Sequence, residues 1–213
     1  METPISAASE IAIGSLRESA PIAFDLAARF KDAGFRLALV GGPVRDLLLQ
    51  RLGNDLDFTT NARPEDTKRI LRGWADDIWD VGIKFGTIAA RKKETTIEIT
   101  TYRSESYDAE SRNPEVQFGN TIEGDLRRRD FTINAMAIEL TTSEVEFIDL
   151  FGGVTDLLKR VIRTPESPEI SFSDDPLRML RAARFAAQLN FTINLDVIEA
   201  MTTMKDQIGR AHV

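Results

Sequence analysis

The 213-residue sequence contains no cysteine, and its single histidine, His212, is the penultimate residue. The absence of thiols excludes disulfide bonds and thiolate chemistry, and a lone histidine argues against histidine-based general-base catalysis and histidine-rich metal sites. No apolar run reaches the roughly 18 residues that a membrane span requires. The first ten residues also lack the basic start and apolar core of a signal peptide. We therefore expect a cytoplasmic protein that does not enter a membrane.

Positive charge is in the minority, because 27 lysines and arginines face 34 aspartates and glutamates, a net charge of −7. This balance argues against a protein that binds nucleic acid over its whole surface. Two local clusters depart from it: one is Arg127–Arg129, and the other consists of Arg178, Arg181 and Arg184. A nucleotide pocket needs only a few such groups, so the overall charge does not exclude one.

Hydrophobic periodicity predicts an α/β or α+β protein in which helices precede and follow three to five strands. We predict helices at residues 21–33, 44–52, 131–137 and 176–189, and strands at residues 55–60 and 95–102. We predict a long polar loop at residues 103–124, which contains Asn113-Pro114, and a second loop at residues 164–173. Residues 1–20 are small and polar, and we expect a loose lead-in there. We place a first domain at residues 21–163 and the start of a helical second domain at residues 164–207. Residues 208–213 match the translation of a common sequencing adapter. We therefore expect that last segment to be non-native and the chain to be a fragment.

A glycine pair, Gly41-Gly42, follows the apolar run Phe35–Val40, which is short enough for a buried strand. Pro43 comes next, and Val44–Leu52 reads as a helix. Glycine has no side chain, so the backbone at such a turn can approach a phosphate group closely. The turn is therefore a candidate phosphate-binding element.

Two carboxylates, Asp55 and Asp57, alternate with apolar residues in the next predicted strand and therefore share one of its faces. One Mg²⁺ can take an oxygen from each. A third carboxylate, Glu98, lies between isoleucines in a later predicted strand. If Glu98 lies beside the pair, the three could hold two metals roughly 3.5–4 Å apart. The alternative is that all three occupy exposed sheet positions, with Glu98 paired to a lysine.

Four stretches resemble the signatures of class II tRNA nucleotidyltransferases and bacterial poly(A) polymerases, which belong to the DNA polymerase beta-like nucleotidyltransferase superfamily. In chain order they are Gly41–Asp46 with Asp55–Asp57, Arg128–Met136, Asp149–Leu157 and Asp174–Phe185. Together they extend over most of the chain. Their co-occurrence is specific to the family but not to one member. Asp174 departs from the pattern, because the family often has glutamate there.

The resemblance implies a nucleotidyltransferase head, with a small mixed sheet flanked by helices, followed by the start of an all-helical neck. It implies Mg²⁺ bound by Asp55, Asp57 and Glu98. It implies phosphate contacts from Gly41, Gly42, Arg45 and Arg129, and ribose contacts from Asp130 and Asn134. It implies that Asp175 and Arg178 read the edge of the base, and that the segment beginning at Asp149 is a flexible linker.

The implied activity is template-independent addition of CMP and AMP, from CTP and ATP, to the 3′ end of tRNA. The tRNA would be held mainly by C-terminal domains beyond this fragment. Two alternatives stay open. One is a poly(A) polymerase, which shares these motifs, and the other is a nucleotide-binding module without transfer activity.

Some of the same residues also have simple structural interpretations. Asp175 is a good helix N-cap, and Pro176 suits the first helical position. The Arg127–Arg129 cluster could be a solvated basic turn. Arg181 and Arg184 follow Arg178 by three and six residues, and we expect them on an exposed helix face, with support of the site as the alternative. The apolar residues around them, including Leu180 and Phe185, are expected in the core.

Overall fold

The structure of the protein, a computed structural model, describes residues 4–82, 86–104, 117–119 and 121–210. The expected loop around Asn113-Pro114 and the last three residues, including His212, lie outside the described residues. Within them the α+β class predicted from the sequence is confirmed. None of the described helices combines the length and the apolar character that crossing a membrane demands.

The described α-helices begin and end at similar residues to several of the predicted ones. They are α1 (Pro4–Ser19), α2 (Ile22–Asp32), α3 (Gly42–Leu48), α4 (Pro64–Leu71), α5 (Ile122–Arg127), α6 (Gly153–Lys159), α7 (Pro168–Asp174), α8 (Leu177–Leu189) and α9 (Leu195–Met204). Two 3₁₀ segments occur at Thr132–Asn134 and Lys205–Arg210.

The strands form one large sheet and two short pairs. They are β1 (Leu37–Val40), β2 (Asp55–Thr60), β3 (Asp77–Gly82), β4 (Thr87–Lys92), β5 (Thr95–Thr101), β6 (Arg103–Ser104), β7 (Gln117–Phe118), β8 (Met136–Glu139), β9 (Glu146–Asp149), β10 (Val161–Ile162) and β11 (Thr192–Ile193). The large sheet has the order β3-β4-β5-β2-β1-β8-β9.

The pairing of β2 with β5 is parallel, whereas the other neighbours in the large sheet are antiparallel. Between β2 and β5 the chain passes through α4, β3 and β4 before it returns beside β2. In the resulting register Asp57 is directly opposite Glu98. This connection brings two carboxylates that are far apart in sequence to neighbouring positions.

Strand β1 is buried on both faces, as its continuous apolar sequence predicts. Leu37 and Leu39 belong to the largest hydrophobic cluster. Ala38 and Val40 point to the opposite face and join a smaller cluster around Tyr102. Because side chains alternate along a strand, one short segment anchors packing on both sides of the sheet.

The N-terminal segment is helical, so the expectation of a loose lead-in was wrong. Helix α1 buries Ala8, Ala12 and Leu16 against the main core. These positions are four residues apart and share one helix face. Two of the three buried residues are alanines, which are only weakly hydrophobic. The sequence of α1 therefore shows no clear apolar stripe, and the segment was not recognised as a helix.

Two other segments differ from their predicted structure. The helix expected over residues 131–137 is a single 3₁₀ turn followed by strand β8. Residues 164–173, which were expected to be a loop, contain most of helix α7. The side chain of Ser167 caps α7 by accepting a hydrogen bond from the amide of Ile170. Pro168 then occupies the first helical turn, a start signal that the loop assignment overlooked.

Helix α8 packs against the head as well as against its own helical neighbours. Ala182 and Phe185 join Phe131 and Ile133 in a third buried cluster. The short parallel pair β10–β11 adds backbone hydrogen bonds between residues 161–162 and 192–193. Helix α8 therefore packs directly on the segment between α5 and β8, which contains Phe131 and Ile133.

Candidate active site

A cavity of about 430 Å³ opens between the sheet, α3 and α8. The predicted site residues that line it are Gly41, Gly42, Arg45, Asp57, Arg129, Asp130, Asn134, Asp175 and Arg178. The other two predicted residues, Asp55 and Glu98, do not line this cavity. The structure therefore brings the predicted phosphate, ribose and base contacts together in one place.

Gly41 joins β1 to α3 in a conformation that favours glycine, with φ of 75° and ψ of −134°. Its amide donates a hydrogen bond to the carbonyl of Met136 at 3.3 Å. A Cβ atom at Gly41 would lie 2.8 Å from Nη1 of Arg129. The backbone angle favours glycine here, and the missing side chain also leaves room for the guanidinium group of Arg129.

Asp55, Asp57 and Glu98 lie on one face of the sheet. Asp55 and Asp57 alternate along β2, and Glu98 is the register partner of Asp57 on β5. All three residues are exposed, whereas Leu56 and Phe58, which alternate with the two aspartates along β2, are buried. The strand pattern that predicted a shared face for the two aspartates is confirmed, and so is the position of Glu98 beside them.

The carboxylate of Asp57 is in an unfavourable environment. Its pKa is raised first by the loss of hydration in the surrounding protein, and then by the negative charges of Glu98 and Asp55, while Arg129 lowers it. Its surface is accessible from the cavity, but the protein around it still displaces much of the bulk water. The positive charge of Arg129 therefore does not fully compensate an ionised carboxylate at this position.

The chemistry of these three residues fits a divalent cation, because they offer only oxygen ligands and repel one another. In the described part of the chain, however, no group of three or more acidic or histidine side chains is close enough to form a ready metal site. The carboxylates share a face without converging on one point. The predicted assignment of all three as metal ligands therefore stays a prediction.

A chain of hydrogen bonds joins α3 to α8 across the cavity. Nη1 of Arg45 donates to Oδ1 of Asn134 at 2.7 Å, and Nδ2 of Asn134 donates to Oδ1 of Asp130 at 3.0 Å. Nε and Nη2 of Arg181 both donate to Oδ2 of Asp130, at 2.9 and 2.6 Å. Because Asp130 also accepts from the amide of Phe131, its oxygens are already engaged, and its evident role is to fix Asn134 and Arg181.

Arg45 is buried and held by a neighbour in sequence. Its Nε and Nη2 donate to the two carboxylate oxygens of Asp46 at 3.0 and 2.9 Å, and Arg51 adds a further bond to Asp46. The guanidinium carbon of Arg45 also lies 5.5 Å from the centre of the Phe185 ring. Arg45 lines the cavity in a fixed orientation, with much of its charge offset by Asp46.

The two residues predicted to read a base are both anchored. Nη1 of Arg178 donates to Oγ of Ser171 at 2.8 Å, and Nη2 donates to the carbonyl of Arg128 at 2.6 Å. Oδ1 of Asp175 accepts from the amide of Leu177, the first residue of α8, at 3.0 Å. The N-cap of α8 is Pro176, so the predicted N-cap position of Asp175 was one residue too early. The Asp175 carboxylate nevertheless bonds to the first amide of α8 and lies on the cavity wall.

Sequence reasoning missed part of the cavity lining. Arg103 and Asp125 lie within or beside the segment that was read as a long polar loop, yet both line the cavity. Asp125 is buried and accepts from Nη2 of Arg129 at 3.1 Å. The spacing of Asp125 and Arg129 by four residues was a usable signal, since such pairs meet on one helix face.

Arg181 and Phe185 are two further cavity residues that were assigned other roles. Arg181 is exposed, as expected of a solvated helix face, and it also pairs with Asp130 and lines the cavity, which agrees with the supporting role left as the alternative. Its position three residues after Arg178 places both on the same side of α8. Phe185 is buried as expected, with its ring 5.9 Å from that of Phe131 in an edge-on contact. Leu180, in contrast, is 54% exposed, so its assignment to the core was wrong.

The segment beginning at Asp149 forms a capped helix. Both carboxylate oxygens of Asp149 accept from the first amides of α6, those of Gly153 and Val154. Asp156 in the same helix accepts from Oγ1 of Thr132 at 2.6 Å. The segment is therefore packed against the turn that carries Asn134, and it does not extend as a free linker.

Comparison with known proteins agrees with this arrangement. A family model described as the Poly A polymerase head domain matches residues 37–163. The CCA-adding enzymes of Streptococcus gordonii and Bacillus subtilis are 43% and 42% identical to this chain over 82% and 85% of its length. The matched parts are 42% and 44% of those two enzymes.

Solved structures give the same result. The CCA-adding enzyme of Bacillus stearothermophilus in complex with CTP superposes with a TM-score of 0.77 and 35% identity, covering 92% of this chain and 45% of that one. A CCA-adding enzyme with ATP gives a TM-score of 0.77 at 31% identity, covering 93% of this chain and 45% of that one. This chain spans less than half the length of the relatives that it matches. On the match across residues 37–163, it belongs to the family of the poly(A) polymerase head domain.

Proposed function

We propose that the complete protein adds CMP and AMP, from CTP and ATP, to the 3′ end of tRNA, and that this chain carries its nucleotide-binding and catalytic part. One observation carries the proposal. A single cavity combines the Asp57 carboxylate, the Gly41 turn, several guanidinium groups and the Asp175–Arg178 pair. The similarity to proteins named CCA-adding enzymes favours tRNA as the acceptor.

The phosphate side of the cavity is the part around Gly41 and Arg129. A triphosphate carries several negative charges, and a guanidinium group can donate two parallel hydrogen bonds to phosphate oxygens. Asp125 fixes Arg129 over the glycine turn, where a side chain at Gly41 would interfere with it. Arg129 is thereby oriented before the nucleotide arrives, which reduces the entropy lost on binding.

Asp57, together with Asp55 and Glu98, would hold Mg²⁺. The bound ion supplies charge neutralisation at the phosphates and lowers the pKa of an attacking hydroxyl. The residues themselves contribute position: β2 and β5 present the carboxylates in register, at the edge of the cavity that contains the phosphate side. Localisation in the cytoplasm, where tRNA is processed, is part of this proposal.

The base side of the cavity is formed by Asp175 and Arg178. A guanidinium group offers only donors and a carboxylate offers only acceptors. Together they match an edge that presents both a carbonyl or ring-nitrogen acceptor and an amino donor, as cytosine and adenine do. Because Ser171 and the Arg128 carbonyl hold Arg178 in place, a base with the reversed pattern cannot be accommodated by simple rotation.

Two alternatives are weaker. A poly(A) polymerase would use the same cavity, and the description of the matched family favours it. A module that binds nucleotides without transferring them is favoured by the three carboxylates, which do not converge into a ready metal site among the described residues. A poly(A) polymerase would add only AMP to RNA, and a binding module would add no nucleotide, whereas the first proposal requires the addition of both CMP and AMP.

The full-length protein should be incubated with Mg²⁺ and tRNA that lacks its terminal CCA, with CTP alone, ATP alone or both. We expect CMP incorporation from CTP alone, and completion of CCA only with both nucleotides. AMP tracts from ATP without any CMP incorporation would identify a poly(A) polymerase. Nucleotide binding without incorporation of either would leave only the binding module.

A further inference from the structure

Arg103 is a cavity residue that none of the sequence motifs contains. It begins β6, directly after the strand that carries Glu98, and it lines the same cavity as Asp57 and Arg129. Its side chain is partly buried, so its orientation depends on the few polar groups around it. Those groups determine which kind of ligand the side chain can bind.

The guanidinium group of Arg103 has few partners of its own. Its Nη2 donates to Oγ1 of Thr87 at 3.3 Å, and that hydroxyl lies 3.0 Å from Oγ1 of Thr100. Its Nε is buried, and among the described residues it has no hydrogen-bond partner. Leaving a charged donor unsatisfied in this way is costly. Because Nε is closed to solvent, a ligand in the cavity would contact the terminal nitrogens of the same group, of which only Nη2 has a hydrogen bond among the described residues.

Other arginines of the cavity are already paired with carboxylates. Arg45 pairs with Asp46, Arg129 with Asp125, and Arg181 with Asp130. For Arg103, no ion pair with a carboxylate occurs among the described residues. The positive charge of Arg103 is therefore less compensated by carboxylates than the charges of these three arginines.

The electrostatic surroundings agree with the hydrogen bonds. Burial lowers the pKa of Arg103, the positive charges of Arg128 and Arg129 lower it further, and Asp125 acts in the opposite direction. The side chain remains charged at neutral pH, as arginine does in proteins. Positive charge concentrated in this way is relieved by an anion.

We infer that Arg103 is a further substrate-binding residue, which donates hydrogen bonds to the phosphates of the incoming nucleotide from the side of the cavity opposite α8. Thr87 acts as its positioning residue, because the hydroxyl accepts from the guanidinium and ties it to β4 and β5. The inference rests on the proposed nucleotide-binding function. It adds a phosphate contact between the Glu98 strand and Arg129.

The test is calorimetric titration of this chain with CTP and with cytidine, in buffer containing EDTA and again with Mg²⁺. Arg103→Gln should weaken CTP binding about 10- to 100-fold, the usual worth of a charged hydrogen bond, and should leave cytidine binding unchanged. Arg103→Lys should weaken CTP binding less than Arg103→Gln does, because lysine keeps the positive charge but lacks the planar guanidinium donors. Thr87→Val should weaken CTP binding by less than Arg103→Gln does and should leave cytidine binding unchanged, because it removes only the hydroxyl that positions Arg103.

Arg127→Gln is the matched control. Arg127 is exposed, pairs with Glu166 at 3.4 Å and does not line this cavity, so Arg127→Gln removes an equal charge without changing the cavity lining. Circular dichroism should confirm that each variant is folded. Equal CTP affinity for the wild type and Arg103→Gln would overturn the inference but leave the proposed function intact.

Two further outcomes would also contradict it. The same chain and variants are also titrated with a short RNA ending in CC, and a loss of affinity for this RNA without any loss for CTP would place Arg103 on the acceptor side. If the wild-type chain binds no CTP at all, with or without Mg²⁺, the proposed nucleotide-binding function fails together with the inference.

Discussion

At the scale of single residues, Asp57 carries a negative charge that its surroundings oppose. Because its pKa is raised in the folded chain, the folded state binds a proton at Asp57 more tightly than the unfolded state does. The contribution of this bound proton to the stability of the folded state is therefore complete below the ordinary pKa of aspartate. It is lost as the pH rises through the raised pKa of the folded state. At neutral pH without a cation, the ionised side chain lowers stability.

Replacing Asp57 with asparagine should therefore raise the melting temperature of this chain in EDTA at pH 7. The gain should shrink as the pH approaches the ordinary pKa of aspartate, where both forms are uncharged. Thermal unfolding followed by circular dichroism at several pH values measures it. Asp46→Asn is the matched control and should change stability in the opposite direction, because Asp46 holds the buried Arg45. A lower melting temperature for Asp57→Asn would contradict the assignment.

Asp57→Ala in the full-length protein should abolish nucleotide transfer, by at least about 10³-fold if the carboxylate holds the metal that stabilises the charge in the transition state. Single-nucleotide extension of tRNA measures the effect. Folding is checked by the melting temperature, which should not fall. Substantial activity in a folded Asp57→Ala protein would mean that the metal site lies elsewhere.

Residue patterns alone predicted the Gly41 turn and the shared face of Asp55 and Asp57, because a glycine pair and alternating carboxylates each have a local physical cause. The other predicted lining residues came from the resemblance to a known family. What the patterns could not give is pairing between distant segments. Arg103 lacks a motif around it, and its position depends on the register of β4 and β5. Arg181 looked like surface charge because its partner, Asp130, is 51 residues away.

At the scale of secondary structure, strands were predicted more reliably than short helices. Strands β2 and β5 have regular alternation, and their bounds agree with the predicted ones to within about a residue. Helix α1 was missed because its buried stripe is mostly alanine. The helix expected over residues 131–137 has good helix formers only in its last three residues, Ala-Met-Ala. The close packing of Gly153 on the carbonyl of Thr132 and the pairing of β8 with β1 favour a 3₁₀ turn followed by a strand.

Gly153→Ala should destabilise the chain by about 1–3 kcal/mol, the usual cost of overpacking. A Cβ at Gly153 would lie 2.4 Å from the carbonyl oxygen of Thr132 and 2.8 Å from Cγ of Met136, so backbone must move. Urea unfolding at pH 7 measures the change. If the free energy of unfolding stayed within error of the wild type, the packing of α6 on the 3₁₀ turn would be incorrect.

Gly14→Ala serves as the matched glycine replacement and also tests helix α1. Gly14 lies within α1, and a Cβ there would meet nothing within 4 Å. Alanine should therefore stabilise the chain by roughly 0.5–1 kcal/mol through helix propensity. The same urea titration measures it. No gain in stability would favour the loose segment that the sequence first indicated.

At the scale of the whole molecule, the cavity that we propose as a nucleotide pocket has two sides that come from different parts of the fold. The sheet and the Gly41 turn line the proposed phosphate side, and α8 lines the proposed base side. The polar tie between Asp130 and Arg181 and the apolar cluster around Phe131 and Phe185 join the two sides. The pocket should therefore function in this chain without additional domains.

We expect this chain to bind CTP and ATP in Mg²⁺ buffer but to extend tRNA poorly, because it spans less than half the length of its relatives. Calorimetry measures the first property, and extension of tRNA lacking CCA measures the second, with the full-length protein as the positive control. Extension as fast as that of the full-length protein would mean that the remaining domains contribute little to holding tRNA.

The bonds from Arg178 to the Arg128 carbonyl and from Arg181 to Asp130 join positions 50 and 51 residues apart. A growing chain leaves the ribosome from its N-terminus, so the acceptors are made long before their donors. A nascent chain that had reached only residue 163, where the family match ends, could already have the surface that holds phosphates. It would gain the surface that distinguishes one base from another only when α8 emerged. In the order of synthesis, holding a nucleotide therefore comes before choosing one.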